Sequence, residues 1–211
     1  MMNNVQDRDF LNKPAKIISA VFHPLFIPVY GMVIIFSAPT LFGYLPFTVK
    51  KLLLLIVLIN NVFLPLSILS FIRYRNVISS WSVKERKERN IPLLLTALLY
   101  FITSYIIMKF QIPAFLKSFL IAIFFVSLVI TVINFWWKIS IHSAGAGALM
   151  SLIVILSFKM YTSLEWYLVL VIIIAGLVLS SRLKLNYHNP PQVWIGFLTG
   201  FLGLALFMSL F

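Results

Sequence analysis

Seven apolar stretches, at residues 17–45, 52–72, 91–110, 114–137, 139–160, 164–181 and 192–211, take up most of this 211-residue chain. A helix needs about 20 apolar residues to cross the hydrocarbon of a bilayer. Lipid offers no partner to a backbone N–H or C=O, so such stretches have to be helical. The expected fold is an all-α integral membrane protein, a bundle of six to seven transmembrane helices. The composition agrees: 62% of the residues are hydrophobic and 10% charged, with a mean hydropathy of +1.04. An average soluble domain is about half apolar and roughly a quarter charged. Disorder is excluded as well, because it needs low hydrophobicity.

Residues 1–16 are polar and read as a short tail or an interfacial helix, leaving 17–211 as one membrane domain. The first stretch holds His23, Pro24, Pro28, Pro39 and Pro46, and is expected to be broken, tilted or partly re-entrant. His23 is given no role beyond preceding the kink at Pro24. The second stretch carries Asn60, Asn61 and Pro65 at mid-depth, where an asparagine usually bonds a neighbouring helix. Gly196 and Gly200 form a GxxxG pair that suits close helix packing. Trp136, Trp137, Trp166 and Trp194 fall near span ends, as in an interfacial belt.

Seven spans put the connections at 73–92, 137–142 and 182–191 on the side of the N-terminus. That side holds twelve Lys and Arg residues against five on the other. Nine remain if Lys84, Arg89 and Arg182 are set aside for chemistry. The positive-inside rule makes the richer side cytoplasmic, and the expected location is the bacterial inner (cell) membrane. The net charge of +12 is read as topology and attraction to anionic head groups. The bilayer is the expected partner, and nucleic acid is not.

The chain has no cysteine and only five carboxylates, Asp7, Asp9, Glu85, Glu88 and Glu165. Disulfides, thiolate metal sites and cysteine nucleophiles are therefore excluded. No pair of aspartate-rich motifs exists to hold a Mg²⁺-diphosphate. No metal or cofactor is expected.

Three polar clusters share the basic side: Lys84 to Pro92, Lys138 to Gly147, and Ser181 to Gln192. Arg89 and Arg182 offer planar forks of donors matched to phosphate oxygens. His142 and His188 provide a nucleophile and a general acid. The small residues from Ser143 to Gly147 open a helix whose free N–H groups suit an anion. The third cluster reads Ser181-Arg182, five residues, His188, three residues, then Gln192. It is similar to the S-R-x5-H-x3-D motif of the type-2 phosphatidic acid phosphatase family up to its last position. Ser140 and His142 stand as in that family's P-S-G-H motif. Arg86 to Pro92 resembles its K-x6-R-P motif.

The resemblance spans roughly residues 80–200. It implies a metal-independent membrane phosphatase with six core helices and one additional or irregular N-terminal span. His188 would form a phosphohistidine and His142 would protonate the leaving alcohol. Arg182 and Arg89 would clamp the phosphate, helped by Lys84, with Ser140 donating a hydrogen bond. The substrate would be a membrane lipid phosphate or polyprenyl (di)phosphate. Gln192 stands where the family has aspartate; its carbonyl can fix the tautomer of His188 but brings no charge. Glu85 or Glu88 could supply a carboxylate if the loop folds over the site. The family's lysine is Ser82 here, its proline is displaced to Pro92, and many of its members face outward.

Alternatives follow from these departures. The chain could be a catalytically silent relative that binds anionic lipid, or a lipid phosphotransferase whose phosphohistidine is resolved by an alcohol. A small transporter is a further reading, supported by the broken first span alone. The KERKER run by itself suits a solvated loop, and His188 by itself suits a cap on the last helix.

Overall fold

The computed structural model describes the backbone of residues 3–75 and 86–210, with side chains from Asn12 onward, Lys87 excepted. Among the described residues there is no strand. The helices are α1 (Asn3–Val21), α2 (Ile27–Ser37), α3 (Phe47–Leu58), α4 (Leu64–Tyr74), α5 (Asn90–Met108), α6 (Ala114–Trp136), α7 (Ile141–Met160), α8 (Glu165–Lys184) and α9 (Pro190–Ser209). They make seven segments long and apolar enough to cross a membrane. The described residues form an all-α integral membrane bundle with these seven candidate spans.

The first span runs Asn12–Ser37 and is interrupted. Helix α1 stops at Val21, a 3₁₀ turn follows at Pro24–Phe26, and α2 resumes at Ile27. Pro24 and Pro28 lack the N–H that a continuous helix would use, so the break follows from the sequence. The polar residues from Asn3 to Lys16 are continuous with it, because α1 begins at Asn3 and runs through Pro14 to Val21. The second span, Phe47–Tyr74, has a π turn at Ile59–Phe63. Pro65 cannot donate to the carbonyl four residues back, and a π turn absorbs the mismatch. In that turn Asn61 is buried, and its Oδ1 accepts from the Thr103 hydroxyl on α5 at 2.6 Å.

Helices α7 and α9 pack backbone to backbone. A Cβ on Gly200 would sit 1.8 Å from the Ala144 carbonyl oxygen, and one on Gly147 would sit 2.1 Å from that of Phe197. Gly196 faces the Ser140 carbonyl in the same way, at 2.5 Å. The GxxxG pair thus finds its counterpart on the small-residue face of α7. Large apolar side chains on α3, α4, α5 and α8 point outward, as lipid-facing surface should. Trp136, Trp166 and Trp194 are exposed near span ends. At the end away from the N-terminus, Lys117 and Lys159 donate to the carbonyls of Met108 and Met208, at the C-termini of α5 and α9.

Candidate functional site: a basic cavity with three histidines

The cavity at the N-terminal end of the bundle has a volume of about 420 Å³. It opens where α1 breaks, between the end of α4, the start of α5 and the two connections that precede α7 and α9. Lys16, Arg73, Arg89, Lys138 and Arg182 line it together with His23, His142 and His188, and among the described residues no Asp or Glu does. Such a wall selects an anion.

His188 is placed by the start of α9. Asn186 adopts a left-handed backbone at φ 53°, and Asn189 caps the helix ahead of Pro190. Gln192 completes the capping box: Asn189 Oδ1 accepts the Gln192 N–H at 3.1 Å, and Gln192 Oε1 accepts the Asn189 N–H at 3.4 Å. His188 Nδ1 lies 3.0 Å from the same Oε1. A main-chain N–H needs an acceptor, so that atom is the amide oxygen and His188 Nδ1 carries the hydrogen. Nε2 is left with its lone pair. Burial pushes the His188 pKa down from 6.5 to about 3; the Gln192 bond opposes this, and repulsion from Arg89, Arg182 and Lys138 adds to it. The ring is neutral at physiological pH and nucleophilic at Nε2.

The two arginines are buried and incompletely partnered. Arg182, on the last turn of α8, lies over the Tyr187 ring at 4.6 Å and donates from Nη1 to Ser19 Oγ at 3.3 Å. Its Nε has no partner. Arg89 sits just before α5, and its Nη1 has none. Burial, then repulsion from Arg182, lowers the Arg89 pKa to about 10. Partial burial and both arginines likewise lower that of Lys138. Buried cations without partners are costly, and a bound oxyanion would satisfy them.

His142 comes from the first turn of α7, and its Nε2 lies 3.1 Å from the Ser19 carbonyl. A carbonyl only accepts, so Nε2 carries the hydrogen and Nδ1 is free to take or give a second proton. His23, which the sequence places only at the kink, belongs to the cavity. Its ring meets that of His142 edge to face, with centroids 5.4 Å apart, and its Nδ1 accepts from the Leu25 N–H at 3.4 Å. Lys138, Ser19 and Tyr187 were also missed. Lys138 could have been found from its place beside the second motif; His23 could not, because the turn of a broken helix is not written in spacing.

Ser140 has a different place from the expected one. Its side chain is fully buried, does not line the cavity, and bonds Ser143 Oγ at 2.8 Å while capping α7. Its N–H donates to the Gln192 carbonyl at 3.2 Å, which ties the start of α7 to that of α9. Lys84 and Glu85 lie outside the described residues, and Glu88 does not line the cavity. Within the KERKER run the neighbours divide the work. Arg86 holds the carbonyls of Asn134 and Phe135 at the end of α6, which leaves Arg89 to the cavity. Among the described residues no three His, Asp or Glu side chains converge to hold a metal ion.

Comparison with known protein families, characterised proteins and solved structures finds no match to this chain.

Proposed function

We propose that this membrane protein hydrolyses the phosphate group of a lipid phosphate or polyprenyl (di)phosphate through a phosphohistidine, without a metal ion. One observation carries the reading. Two buried arginines, each with an unpartnered nitrogen, share a cavity that no described carboxylate lines with a neutral histidine whose Nε2 is free. The motif resemblance points the same way.

Arg89 and Arg182 hold the phosphate oxygens, with Lys138 adding charge. His188 Nε2 attacks phosphorus, and the bond to the lipid oxygen breaks. His142, charged by a second proton at Nδ1, gives that proton to the leaving alkoxide. The Ser19 carbonyl accepts the Nε2 hydrogen and holds the ring in place. Neutral His142 then takes a proton from water as the water oxygen attacks phosphorus. The P–N bond breaks, and orthophosphate and neutral His188 result. Gln192 holds the Nδ1–H of the phosphorylated ring without neutralising it, which keeps His188 a good leaving group in the second step.

The site-bearing end is proposed to face the cytoplasm, on the charge asymmetry of the connections. A second reading rests on the capping box, which gives Gln192 a structural reason to be there: an anionic-lipid-binding protein with no turnover. The test is phosphate release from a panel of detergent-solubilised lipid phosphates in EDTA, comparing wild type with His188→Ala. Activity that survives EDTA and is lost with His188 is expected. Equal release by both proteins removes the mechanism, and no release by either leaves the binding reading. Product analysis with an added acceptor alcohol separates hydrolysis from phosphotransfer.

A further inference from the structure

Beneath the basic cavity lies a second, narrow one, and the two share Pro24, Leu93, Thr96 and Ile141. The deeper space has about 60 Å³ against about 420 Å³ for the basic cavity. Along α7 its wall runs from Ile141 to Ala148, seven residues and so about 10 Å at 1.5 Å per residue. Ile123, Val126 and Ile130 on α6 form the facing wall. It descends toward the bilayer centre over roughly a third of the ~30 Å hydrocarbon core.

Its chemistry is that of hydrocarbon. The hydroxyls that reach it are already spent: Thr96 donates to Pro92 O, Ser127 to Phe124 O and Tyr100 to Pro24 O. No charged side chain lines it. Its width is set by a close approach of α2 to α7. Gly145 lets Ile27 approach so closely that a Cβ there would be 2.7 Å from Ile27 Cγ1.

We propose that this slot is a tail site that holds one hydrocarbon chain, so that the preferred ligand is a lipid phosphate with a single tail. The inference rests on the functional reading above for its head group. The basic cavity takes the phosphate, the shared residues form the neck, and the slot takes the first part of the chain. Lipid tails are as apolar as leucine, so moving a tail from bilayer to slot brings little hydrophobic gain. The slot works by shape: it fixes the direction of the chain and thereby the angle of the phosphate toward His188. Two chains leaving one glycerol do not fit a passage of this volume side by side.

The test compares lysophosphatidate, phosphatidate and glycerol 3-phosphate in mixed micelles, which share a head group and differ in tail number. Wild type is expected to favour lysophosphatidate over phosphatidate by about tenfold or more in kcat/KM, in keeping with the cost of misplacing a reacting group. Ala148→Leu and, independently, Ser127→Leu fill the slot. Each should lower the ratio of lysophosphatidate to glycerol 3-phosphate turnover by about tenfold, for the same reason. Turnover that ignores tail number, or ratios that both variants leave unchanged, overturns the slot and spares the hydrolase. Where nothing is turned over, native mass spectrometry of bound lysophosphatidate decides. Binding that exceeds that of phosphatidate and weakens in both variants sustains the slot without the hydrolase; equal binding overturns it.

Discussion

His188 Nδ1 and Gln192 Oε1 lie 3.0 Å apart across the first turn of α9, and the same oxygen accepts the Asn189 N–H. One amide oxygen therefore caps a helix and sets a tautomer. A serine-protease triad shows the size of the effect when an acidic partner becomes an amide, about 10⁴ in turnover, there partly through the wrong tautomer. Here the tautomer is correct and only the charge is missing. Gln192→Glu keeps the reach, suits the helix N-terminus and restores a carboxylate. An increase of about tenfold or more in kcat is expected on that comparison. It should come with a rise in the His188 pKa from about 3 toward 6.5. Unchanged turnover, with the shifted pKa demonstrated, would mean that charge on this partner does not limit the reaction.

Protonation of His188 also ties stability to pH. The unfolded chain takes up this proton near pH 6.5 and the folded protein only near pH 3. Between those values the unfolded state binds more protons, so stability rises with pH across the window and is flat above it. The ¹⁵N shifts of labelled histidine, assigned with His23→Gln and His142→Gln, should report a neutral His188 at pH 5. Half-titration near pH 6.5 would contradict the burial of the ring. Added orthophosphate should raise the pKa, because it offsets the repulsion of Arg89, Arg182 and Lys138.

Arg89 carries a buried Nη1 without a partner. An unsatisfied buried polar group costs about 1–3 kcal/mol, and more when charged. Arg89→Met should accordingly raise the Tm of the ligand-free protein in detergent and abolish the stabilisation that orthophosphate or vanadate gives to wild type. A lower Tm in the absence of anion would show that Arg89 holds the fold rather than waits for a ligand.

The contact between Gly200 and the Ala144 carbonyl leaves no room for a methyl group. Gly200→Ala should cost about 1–3 kcal/mol, as overpacking generally does. Because α7 carries His142 and α9 carries Gln192, it should also reduce turnover. Gly176 meets nothing within 4 Å, so Gly176→Ala is the control and should leave stability within about 0.5 kcal/mol.

The spans, the break after Val21 and the shared side of the three clusters were legible because length, proline and charge act locally. The pairing of His188 with Gln192 was legible because four residues make one helical turn. Three things were not. His23 reaches the cavity through the geometry of an interrupted helix, which depends on how α1 and α2 pack. The π turn at Ile59–Phe63 follows from Pro65 only after the backbone is built. Ser140 lies two residues from His142 yet faces the α9 backbone instead of the cavity, since it is the extended cap residue ahead of α7 and not part of its first turn.

Among the described residues five cations and no carboxylate line the cavity, which bears on what would follow the proposed chemistry. No described side chain in that wall repels inorganic phosphate, so a phosphate product would meet the same welcome as the reactant. For the proposed hydrolase, clearance would then set the pace, and the phosphate level of the facing compartment would be a brake: abundant phosphate would keep the cavity occupied, and scarcity would free it.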